Sequence, residues 1–198
     1  FGHDVQIKSG HAMWRGVKRQ LGVPSYHTAH YTGEYDAELA VKALQPYKGA
    51  KIGLLAVASI PHMFVEYLKK NAPTNESFVN ASDFVDDIRA VKSEEELKLM
   101  RETAKLQDEQ MQAAFNVVKP GMSDQAIKAA ALHYGTVRGS EQGWYMCASG
   151  PVGTAAVMGP PHQQARVIKA GDQFTLLSEN AGAGGMYTEL GRTCVLGK

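Results

Sequence analysis

Residues 171–193 open as Gly171-Asp172-Gln173-Phe174-Thr175-Leu176-Leu177-Ser178-Glu179-Asn180, pass through a glycine-rich turn, and close as Met186-Tyr187-Thr188-Glu189-Leu190-Gly191-Arg192-Thr193. Two strand-like stretches around a turn rich in Gly182, Gly184 and Gly185 predict a β-hairpin. Side chains alternate faces along a strand, so Ser178 and Glu179 point to opposite sides and only one of them shares a face with Glu189. Taken alone, Glu179 and Glu189 read as solvated carboxylates facing outward.

Upstream of the hairpin, short strands and Gly/Pro-rich loops begin at Gly143, with Trp144, Tyr145 and Met146 read as strand core. Before them the period changes to helical. Ser93 with Glu96 three residues on forms a capping box. Leu97, Met100, Ala104, Met111, Phe115 and Val118 then mark the apolar face of a long helix, and the charges of residues 93–109 its solvated face. Lys119-Pro120-Gly121 breaks it. Ser123 caps a second helix carrying Ile127, Ala130, Ala131 and Tyr134.

The charged stretch Asp83 to Lys92 predicts a boundary. On its N-terminal side, Tyr35 to Leu44 is a short helix candidate and Lys51 to Ala58 a buried, parallel strand. A helix follows Pro61, with Met63, Phe64, Tyr67 and Leu68 on one face, and Glu76 to Val79 reads as the next strand. Strand, helix, strand in this order predicts an α/β unit. Residues 1–34 hold no periodic segment, and His27 and His30 read as loop surface. His62 and His133 read as boundary or core positions in helices.

The 198 residues are 44% hydrophobic and 21% charged, with a formal net charge of +1. That is the balance of a globular protein without the basic footprint of a nucleic-acid or anionic-membrane binder. No apolar run approaches the ~18 residues of a membrane span, and residues 1–15 do not fit a signal peptide. Cys147 and Cys194 read as reduced thilos of a cytoplasmic protein. The opening at Phe1 without an initiator Met, and the end at Lys198 directly after an apolar run, suggest an incomplete chain.

Four blocks, in order, resemble the pita-bread hydrolases: Xaa-Pro aminopeptidases, prolidases, methionine aminopeptidases and creatinase. They are Asp87-Ile88-Arg89-Ala90-Val91-Lys92 running into Ser93–Leu97, Lys119-Pro120-Gly121-Met122-Ser123, Ser149-Gly150 through His162, and Lys169-Ala170-Gly171-Asp172 through Thr193. The resemblance implies an α/β to α+β fold: a small creatinase-like α/β domain over 1–86, then the first half of a pita-bread domain over 87–198. It implies hydrolysis of a C–N bond in a small-molecule or short-peptide substrate, as in Xaa-Pro peptidases. The alternatives it leaves open are a metal-free creatinase-like amidino hydrolase and a non-catalytic binding module. A homodimer is a further implication, with neither nucleic acid nor membrane as partner.

The family's chemistry uses two hairpin Asp residues together with a His and two Glu from the second half of the domain. These hold a divalent metal pair (manganese, cobalt or zinc) that activates water and polarises the scissile carbonyl. Anchored on Arg192-Thr193, the second Asp position is Glu189. The first, eleven residues earlier, is Ser178, with Glu179 one step away and able to reach the site through a bulge near Gly182–Gly185. Serine is a poor ligand for a hard divalent ion, so the altered set predicts weak metal binding or none. His162, presented after Gly159-Pro160-Pro161, matches the family's active-site His and is the expected proton shuttle.

Overall fold

A computed structural model describes residues 21–24, 34–73, 77–155, 157–158 and 165–197. The chain divides into two compact units, with the division between Val91 and Lys92.

In the first unit, helix α1 (Tyr35–Leu44) buries Ala37, Leu39 and Ala40. Strand β1 (Ile52–Leu54) pairs in parallel with β2 (Phe78–Asn80), and helix α2 (His62–Asn71), entered at Pro61, lies between them in sequence. The strand expected over residues 51–58 is therefore cut short. Ala56 takes a left-handed backbone (φ 49°), residues 57–59 form a 3-10 turn, and Leu55 and Val57 are exposed. The charged stretch that marks the boundary is itself a helix, α3 (Ser82–Ala90), entered where the Asn80 Oδ1 accepts from the Ser82 N–H. His62 is exposed, as is His133 in the second unit, so neither is a core position.

The second unit begins at the capping box. The Ser93 hydroxyl accepts from the Glu96 amide, and the Glu96 carboxylate accepts from the Ser93 amide, opening α4 (Glu94–Val117). Gly121, in a left-handed backbone (φ 89°), turns the chain after Pro120, and Ser123 caps α5 (Asp124–Thr136). Three antiparallel strands follow as a meander, in the order β3 (Gln142–Pro151), β4 (Asp172–Ala181) and β5 (Tyr187–Val195). The helices pack on one face of this sheet.

Burial alternates along β4. Phe174, Leu176, Ser178 and Asn180 turn inward, while Gln173, Thr175, Leu177 and Glu179 do not. Phe174 and Leu176 join Ile127, Ala131, Met111, Ala114, Tyr145, Cys147, Ile168 and Leu196 in one core, and Phe115 meets the Phe174 ring edge-on at 6.1 Å. Each large apolar side chain so buried contributes about 1.5–3 kcal/mol relative to exposure.

The buried face of α4 differs from the apolar stripe expected of it. Its buried residues are Thr103, Gln107, Gln110, Met111 and Ala114, while Leu97, Met100 and Phe115 are only half-buried. The middle of the α4–sheet contact is thus polar.

At the start of β4, Arg166 donates to Asp172 Oδ2 at 2.6 Å and to Ser149 Oγ, and the Lys169 amide donates to the same Asp172 oxygen. The Arg166 guanidinium holds the Asp172 carboxyl below its usual range. A carboxyl lowered in the folded state contributes stability above its unfolded value of about 3.9, and loses it as pH falls through the folded one. Asp172→Asn should therefore lower neutral-pH stability and flatten the acid limb of a urea-unfolding series. Phe174→Ala should cost about 3–5 kcal/mol in the same assay.

Candidate functional site

The β4–β5 ladder runs without interruption from Gln173 opposite Val195 to Ala181 opposite Tyr187. Five residues, 182–186, close the hairpin, with Gly184 and Gly185 at φ 80° and 69° as the tight return requires. In this register Glu179 stands directly opposite Glu189, and Trp144 of β3 stands opposite Glu179 on the other side. No bulge is needed to bring Glu179 into the row. Ser178 falls on the opposite, helix-facing side and is 1% exposed.

The row Trp144–Glu179–Glu189 lies on the sheet face away from α4 and α5. Met146, Leu177, Ala148, Gly191, Thr175 and Thr193 continue that face in the next two rows. The Thr175 and Thr193 hydroxyls share a hydrogen bond of 2.8 Å. Trp144 is 52% exposed, so it is a surface of this face and not strand core as its sequence context suggested. Glu189 is exposed and Glu179 half-buried. None of these residues is basic, and neither glutamate has an ion-pair partner among the described residues.

Carboxylates directly opposite on adjacent strands have Cβ atoms about 4.5–5.5 Å apart and repel. Two hard oxygen donors held this way suit a divalent cation. Among the described residues they are not joined by a third His, Cys, Asp or Glu into a cluster that could hold a metal alone. His162 lies outside the described residues.

Behind the glutamates, Gln107 of α4 reaches the sheet. Its Nε2 donates to the Ser178 carbonyl and, at 3.0 Å, to the Thr188 carbonyl. One turn on, Gln110 Oε1 accepts from the Tyr145 hydroxyl at 3.1 Å. Gln110 Nε2, Asn180 Nδ2 and Thr188 Oγ1 are buried without a partner in this seam. The sequence reading missed it because glutamines at core spacing look the same as glutamines on a solvated face.

Burial pushes the Cys147 thiol up to about 12, and burial also raises Cys194. They lie on strands separated by β4 and form no disulfide with each other.

An antiparallel meander backed by two helices, with paired carboxylates on its open face, defines a mixed α/β protein of the pita-bread type. The chain belongs to metallopeptidase family M24, whose model matches residues 98–198, just over half of it. It is 27% identical over 140 residues to an Xaa-Pro dipeptidase of Pyrococcus horikoshii, covering 69% of this chain and 40% of that protein. Among solved structures it is similar to the prolidase of Pyrococcus horikoshii, with a TM-score of 0.64 and 23% identity over 90% of this chain and 47% of the other. It is also similar to an Xaa-Pro dipeptidase of Bacillus anthracis, with a TM-score of 0.67 and 19% identity over 99% of this chain and 51% of the other. The chain thus spans about half the length, or less, of these relatives.

If the two carboxylates repel without compensation, Glu179→Gln should stabilise the chelator-treated protein by about 0.2–1 kcal/mol. The gain should shrink as salt is added. Thermal unfolding at low and high ionic strength measures both, and a loss of stability would show that the pair is already compensated.

Proposed function

We propose that the whole protein hydrolyses the C–N bond of a short Xaa-Pro peptide on the open face of the β3–β4–β5 sheet. The observation that carries this reading is the in-register pairing of Glu179 with Glu189, on a hairpin inside the region that the M24 model matches and where the sequence resemblance implies the metal ligands. The register supports Glu179 over Ser178 as the partner of Glu189, and a carboxylate there would serve a hard divalent ion better than the serine that the spacing selects. Glu179 and Glu189 would hold a divalent ion as oxygen donors, completed by donors from outside the described residues. When bound, the metal supplies a polarised carbonyl and an activated water.

The chain's own residues shape the rest. Trp144, Met146 and Leu177 form an apolar floor that suits a pyrrolidine ring. The Thr175–Thr193 hydroxyl pair offers a polar contact two rows away. His162 moves a proton between the attacking water and the leaving amine.

The division of labour is part of the same proposal: an N-terminal creatinase-like domain over about residues 1–86 and half a catalytic domain after it, in a homodimer. Family membership supports it. A cytoplasmic setting belongs to the same proposal, supported by Cys147 and Cys194 forming no disulfide with each other. No helix among the described residues is long and apolar enough to cross a membrane.

The test is the full-length protein, stripped with chelator, reloaded with Mn2+ and assayed on Xaa-Pro dipeptides beside creatine-like substrates. Xaa-Pro hydrolysis should appear. Glu179→Gln and Glu189→Gln should each lower kcat/KM by more than the roughly 10–100-fold that disturbing an outer-shell partner costs. His162→Ala should lower kcat by about 100-fold or more with little effect on folding. Turnover of creatine-like substrates alone, or of neither, would overturn the reading.

A further inference from the structure

We propose that Gln107 is a positioning residue, locking the β4–β5 register so that the two glutamates meet on one face; the inference rests on the reading of that pair as the reactive site. Gln107 is 2% exposed, and its amide bridges the two strands at the carbonyls of Ser178 and Thr188. Those are the residues immediately before Glu179 and Glu189. One side chain therefore fixes both strands at the point where each carboxylate emerges. Three residues on, Gln110 ties the same helix face to β3 through Tyr145, which stands opposite Ser178 in the neighbouring row. Helix α4 thereby holds all three strands within one row of Trp144–Glu179–Glu189.

The physical need is one of register. A slip by one residue would swap Ser178 for Glu179 on the open face. The flanking inward positions on these two strands are Ser178, Asn180, Thr188 and Leu190, mostly polar, so apolar packing there discriminates poorly between registers. Hydrogen bonds to named carbonyls are directional and do discriminate. Removing the donor leaves two carbonyls to find other partners in a seam that already contains an unpartnered Asn180 amide and Thr188 hydroxyl.

Two measurements on the full-length protein test this. In a Glu179→Cys/Glu189→Cys double variant, the cross-strand disulfide should form readily under a glutathione redox buffer and be identified by peptide mass. Adding Gln107→Met, similar in volume but without a donor, should slow that bond by about tenfold. This readout needs neither metal nor activity. In the parent background, Gln107→Met should weaken Mn2+ binding by calorimetry by about tenfold. Thr103→Val is the control: Thr103 is buried on the same helix face but its hydroxyl bonds only within α4, to the Leu99 carbonyl, so its variant should lose stability without weakening Mn2+.

Unchanged disulfide formation in the Gln107→Met background overturns the inference, and so does unchanged Mn2+ affinity where Glu179→Gln abolishes binding. If Glu179→Gln and Glu189→Gln leave Mn2+ binding intact, the metal reading of the site fails, and the disulfide measurement still decides the role of Gln107. Should Gln107→Met fail to fold, Gln107→Asn, which keeps the donor but shortens its reach, goes through the same two measurements.

Discussion

The antiparallel pairing of β4 with β5 is the constraint on which the second unit depends. It is a ladder with period two, so a single choice of register distributes every side chain between a helix-covered face and an open one. Phe174 and Leu176 enforce that choice at one end, because turning them outward would expose two of the largest fully buried side chains. At the other end the inward positions are Ser178 and Asn180, and apolar burial has little grip there. The register near the glutamates has to be held by directional bonds from α4, while the five-residue turn at 182–186 sets how far Glu189 lies from Glu179 along the chain.

Much of this was legible in the sequence, and the legible parts share a cause. The capping box at Ser93, the break at Pro120-Gly121, the cap at Ser123 and the helix 35–44 are local signals that short-range chemistry decides. The parallel pairing of residues 52–54 was legible from an apolar run, but its length was not, since Ala56 leaves the strand through a backbone conformation that alanine's identity does not announce. The exposure of Trp144 is hidden from the sequence for a related reason: its neighbours Tyr145 and Met146 suggest core, and only the strand's alternation decides which of the three is covered. The site itself was half legible. Spacing from Arg192-Thr193 selects Glu189, and counting eleven residues back selects Ser178, but a count carries no information on strand register. In the observed register the residue directly opposite Glu189 is Glu179, ten residues back.

The site also carries an internal tension. Two carboxylates set opposite each other on neighbouring strands disfavour the fold, and no basic side chain among the residues of that face offsets them. Beneath them lies a seam in which several buried polar atoms have no partner, a second cost. A sequence under pressure for stability alone would place apolar residues at Gln107, Ser178 and Asn180 and a lysine opposite one glutamate. That neither is present is what a site under functional constraint looks like, since local rules tend to be broken where chemistry demands it.

This tension also separates the two carboxylate-rich regions of the unit. Asp172 is buried, and it is matched at close range by Arg166 and by the Lys169 amide, so its charge is absorbed inside the fold and serves to anchor the start of β4. Glu179 and Glu189 have the opposite surroundings: an open face, an indole, two threonine hydroxyls and, among the described residues, no ion-pair partner. A paired charge needs nothing from outside, whereas two like charges side by side on a partly apolar face attract a cation. Under the proposed function, the chemistry is to be sought at the pair that has no ion-pair partner among the described residues, and the strand register keeps that pair together.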